Sequence, residues 1–206
     1  MLPSLTFLLA ATLLAITPGP GIAYVVARTA AGGRAEGIAS SLGTAVGGMV
    51  HVLAGALGLS LLIAQSAWAY AVVKYLGAAY LMYLGIRLLA SRAASPEAPL
   101  VQRAGAGKAL RDGIIVEVFN VKTALFFLAF IPQFVSARQP LAPQFILYGT
   151  LCVLLNSLVD LIAVAAASLI LASGTAKAAK ARLLSRLSGA TMLTLGVLVA
   201  VANRNG

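Results

Sequence analysis

Six stretches of the chain are apolar over the length of a membrane span, and polar or charged residues collect between them. The pattern predicts spans at about residues 2–27, 37–64, 67–90, 111–136, 144–172 and 187–202, the last of them short. The first is interrupted. Thr17-Pro18-Gly19-Pro20-Gly21 sits two thirds of the way along an otherwise apolar run from Leu2 to Ala27. Two prolines and two glycines remove backbone donors and helical preference, so the helix is expected to break there. A backbone group freed in hydrocarbon without a partner costs several kcal/mol, so such breaks persist where protein or a solvated cavity surrounds them. The half-helix beyond the break then aims its unpaired N–H groups at whatever occupies the cavity.

Between residues 91 and 110 the composition shifts to Ala, Pro, Gly and Arg, with Pro96, Pro99, Gly105 and Gly107. This reads as a linker, about residues 91–110, between a first repeat of about 1–95 and a second of about 111–206 in one membrane transport domain. Lys74-Tyr75-Leu76-Gly77-Ala78 leading to Leu81-Met82-Tyr83-Leu84-Gly85 resembles Arg186-Leu187-Ser188-Gly189-Ala190 leading to Met192-Leu193-Thr194-Leu195-Gly196, with one residue deleted. The first and fourth spans also correspond: each has an apolar run, a proline (Pro18, Pro132) and then an Ala-Arg pair (Ala27-Arg28, Ala137-Arg138). Three spans per half is an odd number, so the second copy enters from the opposite side. The expected fold is therefore an all-α polytopic membrane protein of six transmembrane helices, a 3+3 inverted repeat with a broken first helix, whose site lies near the midplane where the halves meet.

Composition makes the bilayer the solvent. Apolar residues are 61% of the 206 and charged residues 10%, where soluble chains carry about a quarter charged; mean hydropathy is +0.98. The net charge of +10 lies in loops between spans rather than in a basic domain, which points to anionic lipid at the cytoplasmic face and away from nucleic acid. Eleven of the fifteen basic residues fall in or beside the odd-numbered loops: Arg28, Arg34, Arg87, Arg92, Arg103, Lys108, Arg111, Lys177, Lys180, Arg182 and Arg186. Both termini are accordingly expected on the non-cytoplasmic side of a bacterial inner membrane, where Trp68, Tyr70 and Tyr75 form part of an aromatic belt. Cys152 is alone, which excludes an intramolecular disulfide, a CxxC pair and a cysteine metal site. The first segment lacks a basic leader region and has prolines where small residues mark cleavage, so it reads as a span rather than a signal peptide.

Gly43, Gly47, His51 and Gly55 recur at every fourth position and share one face of the second span. Small residues at this spacing let another backbone approach closely, and Gly77, Gly85 and Gly189 are expected to pack helices in the same way. His51, the one histidine, needs a partner or a wet cavity and is a candidate for substrate binding or coupling. The fourth span holds Glu117, Asn120, Lys122 and Thr123. Counted from Arg111, Lys122 lies about 16 Å along its helix, near the bilayer centre. The fifth offers a counter-ion in Asp160, with Asn156 one turn before it. Two readings stay open: a static Lys122–Asp160 pair joining two helices, or an Asp160 that exchanges a proton or meets a substrate ammonium. No HExxH, GxSG or pair of intramembrane aspartates is present, so an enzyme is not expected.

Thr17-Pro18-Gly19-Pro20, the glycine-rich second span with His51, Lys74-Tyr75-Leu76-Gly77-Ala78-Ala79-Tyr80-Leu81 and Asn120-Val121-Lys122-Thr123-Ala124-Leu125-Phe126-Phe127 together resemble the LysE/RhtB family of bacterial amino-acid exporters, over nearly the whole chain. That family's first motif usually reads Pro-Gly-Pro-Asn and its fourth-span motif Asn-Pro-Lys; here Gly21 and Val121 stand at the last and middle positions. The second departure predicts a fourth helix that runs on unbroken. The resemblance implies functional weight on Pro18, Gly19, Pro20, Asn120 and Lys122 and export of an amino acid or derivative by proton exchange, with no cofactor. Joined to the residue reading, it gives a site of Thr17, Pro18, Gly19, Pro20, Gly21, His51, Asn120, Lys122, Asn156 and Asp160. The cargo carboxylate is expected on the N–H groups after Pro20 with Lys122 in support, and its ammonium by Asp160, Asn120 or Asn156. Two alternatives remain, export of another small solute such as a metal cation and a non-transporting scaffold; one His, one Cys and one deep carboxylate on separate spans make a poor metal cage. Self-association into a homo-oligomer stays open.

Overall fold

The computed structural model describes residues 3–59, 66–90, 103–136 and 138–173, with 193, 194, 197, 200 and 201 of the last segment. Most of the linker, the basic residues Lys177, Lys180, Arg182 and Arg186, most of the sixth span with Gly189, and the surroundings of Gly77 and Gly85 lie outside the described residues. Among the described residues all regular structure is helical: α1 (Leu5–Ile16), α2 (Pro20–Ala54) running into a π turn (Gly55–Leu59), α3 (Ala67–Ala90), α4 (Ala106–Val118), α5 (Val121–Leu125) and α6 (Leu141–Ser173). A π turn (Phe126–Phe130) and a 3₁₀ turn (Ile131–Gln133) extend α5.

Helix α1 opens on a side-chain cap, the Ser4 hydroxyl accepting the Phe7 N–H at 3.2 Å. It is apolar on both sides. Phe7, Ala10, Ala11 and Leu14 are buried while Leu5, Leu9, Leu13 and Ile16 face outward, as suits a helix with protein on one side and hydrocarbon on the other. The buried face joins a core of Phe126, Phe127, Phe130, Phe145 and Tyr148, with Phe7 edge-on to Tyr148 at 4.7 Å.

By length and composition Pro20–Gly58 and Leu141–Leu169 each suffice to cross a membrane, and the pair Ala106–Val118 with Val121–Gln133, bent by 43°, adds a third. Helix α2 is more than one span. Straight, its 39 residues to Gly58 measure about 58 Å, nearly twice the hydrocarbon thickness of about 30 Å. Gly33 divides it with φ +76°, a left-handed value that a Cβ disfavours. A side chain on Gly37 would run into the Thr29 hydroxyl, although eight residues of straight helix separate the two by about 12 Å. The chain therefore doubles back at Gly33, and the expected loop between the first two spans is a tight turn between helical arms.

Arg28 corrects the sequence reading here. Expected as a loop charge, it is 4% exposed and pairs with Glu36 at 3.4 Å. Oε1 of Glu36 also accepts the N–H groups of Ala104 and Gly105 at 3.0 and 2.8 Å, and the Tyr24 hydroxyl donates to the Ala109 carbonyl at 3.0 Å. The Glu36 bonds set the second arm of α2 beside α4 in parallel, and the Tyr24 bond ties the first arm to the same helix. Gly43 lies against Leu110 and Gly113, and Gly47 against Ile114 and Glu117, so close that an added Cβ would meet backbone carbonyls. At Gly43 and Gly47 only a glycine leaves room for the neighbouring backbone. Gly55 faces Phe145 and Phe127, and an added Cβ would sit 3.3 Å from the Phe145 ring, a tight contact.

Candidate functional site

The first break lies where the sequence places it. Thr17 precedes a proline, which disfavours the helical region, and takes φ −67° and ψ 115°; its hydroxyl turns back to donate to Leu13 O at 2.6 Å. Pro18 brings no N–H. Gly19 is extended, and Pro20 occupies the first position of α2, where a missing donor costs nothing. Two sets of backbone groups are left over: carbonyls at the end of α1 and the N–H groups of Gly21 and Ile22 at the start of α2.

Lys122 serves the first set. Its ammonium donates to Thr17 O at 2.7 Å and to Leu14 O at 3.1 Å, placing a positive charge at the negative end of α1. Its stem crosses Gly19, where a Cβ would sit 3.0 Å from Cε, so the motif glycine makes room for the lysine. The Lys122–Asp160 ion pair considered from sequence does not form.

The fourth span is broken too, against the expectation drawn from Val121. Helix α4 ends at Val118; Phe119 and Asn120 leave the helical path, and α5 starts at Val121. Proline is not needed for this, because the Asn120 carboxamide caps the new helix, its Oδ1 accepting the Lys122 N–H at 3.1 Å. The amide end of Asn120 donates to Glu117 Oε2 at 2.9 Å, and the Thr123 hydroxyl donates to Glu117 Oε1 at 2.6 Å. Held in this way, the Glu117 carboxylate lies beside Gly21, where an added Cβ would be 2.6 Å from Oε2. The residues flanking the second break thus complement the ends flanking the first, a cation at the carbonyl end and an anion beside the N–H end.

Between the breaks is a cavity of about 20 Å³, room for a water. Gly21, Asn120, Lys122, Asn156 and Asp160 of the expected site line it, and Thr44, Glu117, Thr123 and Ser157 join them. Asp160, 6% exposed, accepts the Thr44 hydroxyl at Oδ2, 2.8 Å away. Asn156 donates to the Cys152 carbonyl at 3.0 Å, leaving its Oδ1 to the cavity. His51 stands outside the lining: its Nε2 bonds the Glu117 carbonyl at 2.9 Å and its ring lies 5.9 Å from Phe127. Thr17, Pro18, Gly19 and Pro20 shape the break rather than the wall. Among the described residues, no three of His, Cys, Asp and Glu come together to hold a metal ion.

Thr44, Glu117, Thr123 and Ser157 are the lining residues that sequence reasoning assigns no role. Glu117 carries a signal, an acid deep in an apolar run three residues before Asn120; Thr44 carries none, since threonine is common in spans.

The sequence model of a family described as LysE type translocator matches residues 12–203. A homoserine/homoserine lactone efflux protein of Salmonella typhimurium is 30% identical over 153 residues, 74% of each chain. A leucine efflux protein of Klebsiella pneumoniae is 32% identical over 71% of each chain, and an uncharacterised membrane protein of Vibrio cholerae 28% identical over 75% of this chain and 76% of its own. No solved structure matches.

Proposed function

The chain belongs to the LysE type translocator family of membrane proteins, and on that premise we propose that it exports an amino acid or a close derivative across the bacterial inner membrane by proton-coupled antiport. The observation that carries this reading is the pair of interrupted helices whose flanking charges, Lys122 and Glu117, meet around one cavity with Asp160. Relatives named for homoserine and leucine efflux support the cargo class. The whole chain acts as one transport domain of two opposed halves, both termini outside, that rock so as to open the cavity to each side in turn. Asp160 meets the cargo ammonium in one phase of the cycle and a proton in the other, with Asn156 beside it. Thr17 to Gly21 and Asn120 keep the two helices open at the site, and His51 holds the second break in place through the Glu117 carbonyl.

The test is reconstitution. In proteoliposomes with an imposed pH gradient the wild type is expected to accumulate a radiolabelled amino acid against its concentration gradient, and Asp160→Asn to lose that accumulation while retaining the wild-type elution profile in detergent. Accumulation by the variant equal to wild type would falsify the assignment of Asp160.

A further inference from the structure

Resting on that reading, the cavity's unused hydrogen-bonding capacity indicates which form of the cargo it accepts. Most side-chain donors in the lining are already turned toward protein. Asn120 and Thr123 donate to Glu117, two of the three Lys122 N–H bonds point at Leu14 and Thr17, and Asn156 and Ser157 donate to the carbonyls of Cys152 and Val153. What remains open is mainly acceptor: Oδ1 of Asp160, a residue 94% buried by its 6% exposure, Oδ1 of Asn156 and the lone pairs of Ser157. These groups suit an ammonium. For a cargo carboxylate there remain the third Lys122 N–H, one amide N–H each of Asn120 and Asn156, and the Gly21 and Ile22 N–H groups at the start of α2, and the Glu117 carboxylate already lies against Gly21. Ionised, Glu117, Asp160 and Lys122 give the wall one net negative charge, and a cargo carboxylate brought to Gly21 meets a like charge at close range.

The geometry points to Glu117 as a specificity-determining residue that makes this cavity select a primary amine whose carboxyl group is masked, as an ester or amide, over the zwitterionic amino acid. The zwitterion's carboxylate competes with Glu117 for the start of α2; the masked form brings its ammonium to Asp160, Asn156 and Ser157 and leaves Glu117 undisturbed.

The experiment measures binding to the purified full-length protein by ligand-dependent thermal shift, with leucine against leucinamide and homoserine against its amide. Wild type is expected to bind each amide at least about tenfold more tightly than the parent acid, a gap in the range of one like-charge contact. Glu117→Gln keeps the side chain's shape and is expected to bring each pair to within about twofold. Gly21→Ala, which pushes the carboxylate off the start of α2, is expected to move the ratio the same way and decides the matter where Glu117→Gln does not fold. Equal or tighter binding of the free acids by wild type overturns the inference and leaves amino-acid export standing. A folded Glu117→Gln that keeps the amide preference overturns the role of Glu117. Binding of none of the four ligands overturns both readings.

Discussion

The buried charges of this protein are tied to its backbone. Lys122 serves the Leu14 and Thr17 carbonyls at the end of α1, Glu117 is held by Asn120 and Thr123, and Asp160 by Thr44. Lys122→Met keeps the stem over Gly19 but leaves the Thr17 carbonyl bare and Leu14 O with the Thr17 N–H alone, at 3.2 Å. An unsatisfied buried acceptor costs about 1–3 kcal/mol, so the variant is expected to unfold at a clearly lower temperature in detergent than wild type. An unchanged midpoint would remove Lys122 from this role. Sequence alone shows that a lysine this deep must have a partner, and Asp160 is the obvious candidate. The partners are instead main-chain oxygens, which every residue has, and only the folded path of the break makes those of residues 14 and 17 available. For the same reason Glu117 is visible as a buried acid while its position beside Gly21 is not.

At the level of the helices, the two interruptions have different causes. The first comes from Pro18 and Pro20, and Pro18→Ala with Pro20→Ala together is expected to fuse α1 to α2. Such a variant should insert into the membrane in normal amount and fail to transport, which cell fractionation and a flux assay separate. The second comes from Asn120, whose carboxamide offers the backbone a cap in place of the next turn. Asn120→Ala is expected to cost about 0.5–2 kcal/mol as a lost cap. Val121→Pro is expected to be tolerated within roughly 0.5 kcal/mol, because Val121 is the first residue of α5 and Asn120 already has ψ 98°. Comparing the unfolding midpoints of these two variants checks both statements. This is why the sequence misleads at Val121: proline is a loud signal for a break, asparagine a quiet one, and the quiet one suffices. The helices at 67–90 and 144–172, by contrast, are legible to within a few residues, as Ala67–Ala90 and Leu141–Ser173, because long apolar runs admit few other arrangements in lipid.

At the level of the molecule, the Arg28–Glu36 pair and the Glu36 bonds to Ala104 and Gly105 tie α2 to the start of α4. Glu36→Gln keeps an acceptor for the two N–H groups but takes away the charge facing Arg28, which leaves the guanidinium without its counter-charge. The expected outcome is a loss of stability in a chemical-denaturation series, with Arg28 and Glu36 changed together costing less than the sum of the two. Sequence analysis reads Arg28 as a loop charge and gives Glu36 no role, since nothing short of the turn at Gly33 brings the two under cover. The small void between the breaks also bears on leakage. A space that holds a single water passes no continuous file of solvent, so among the described residues the gap between the two breaks, in this shape, is a seal rather than a leak.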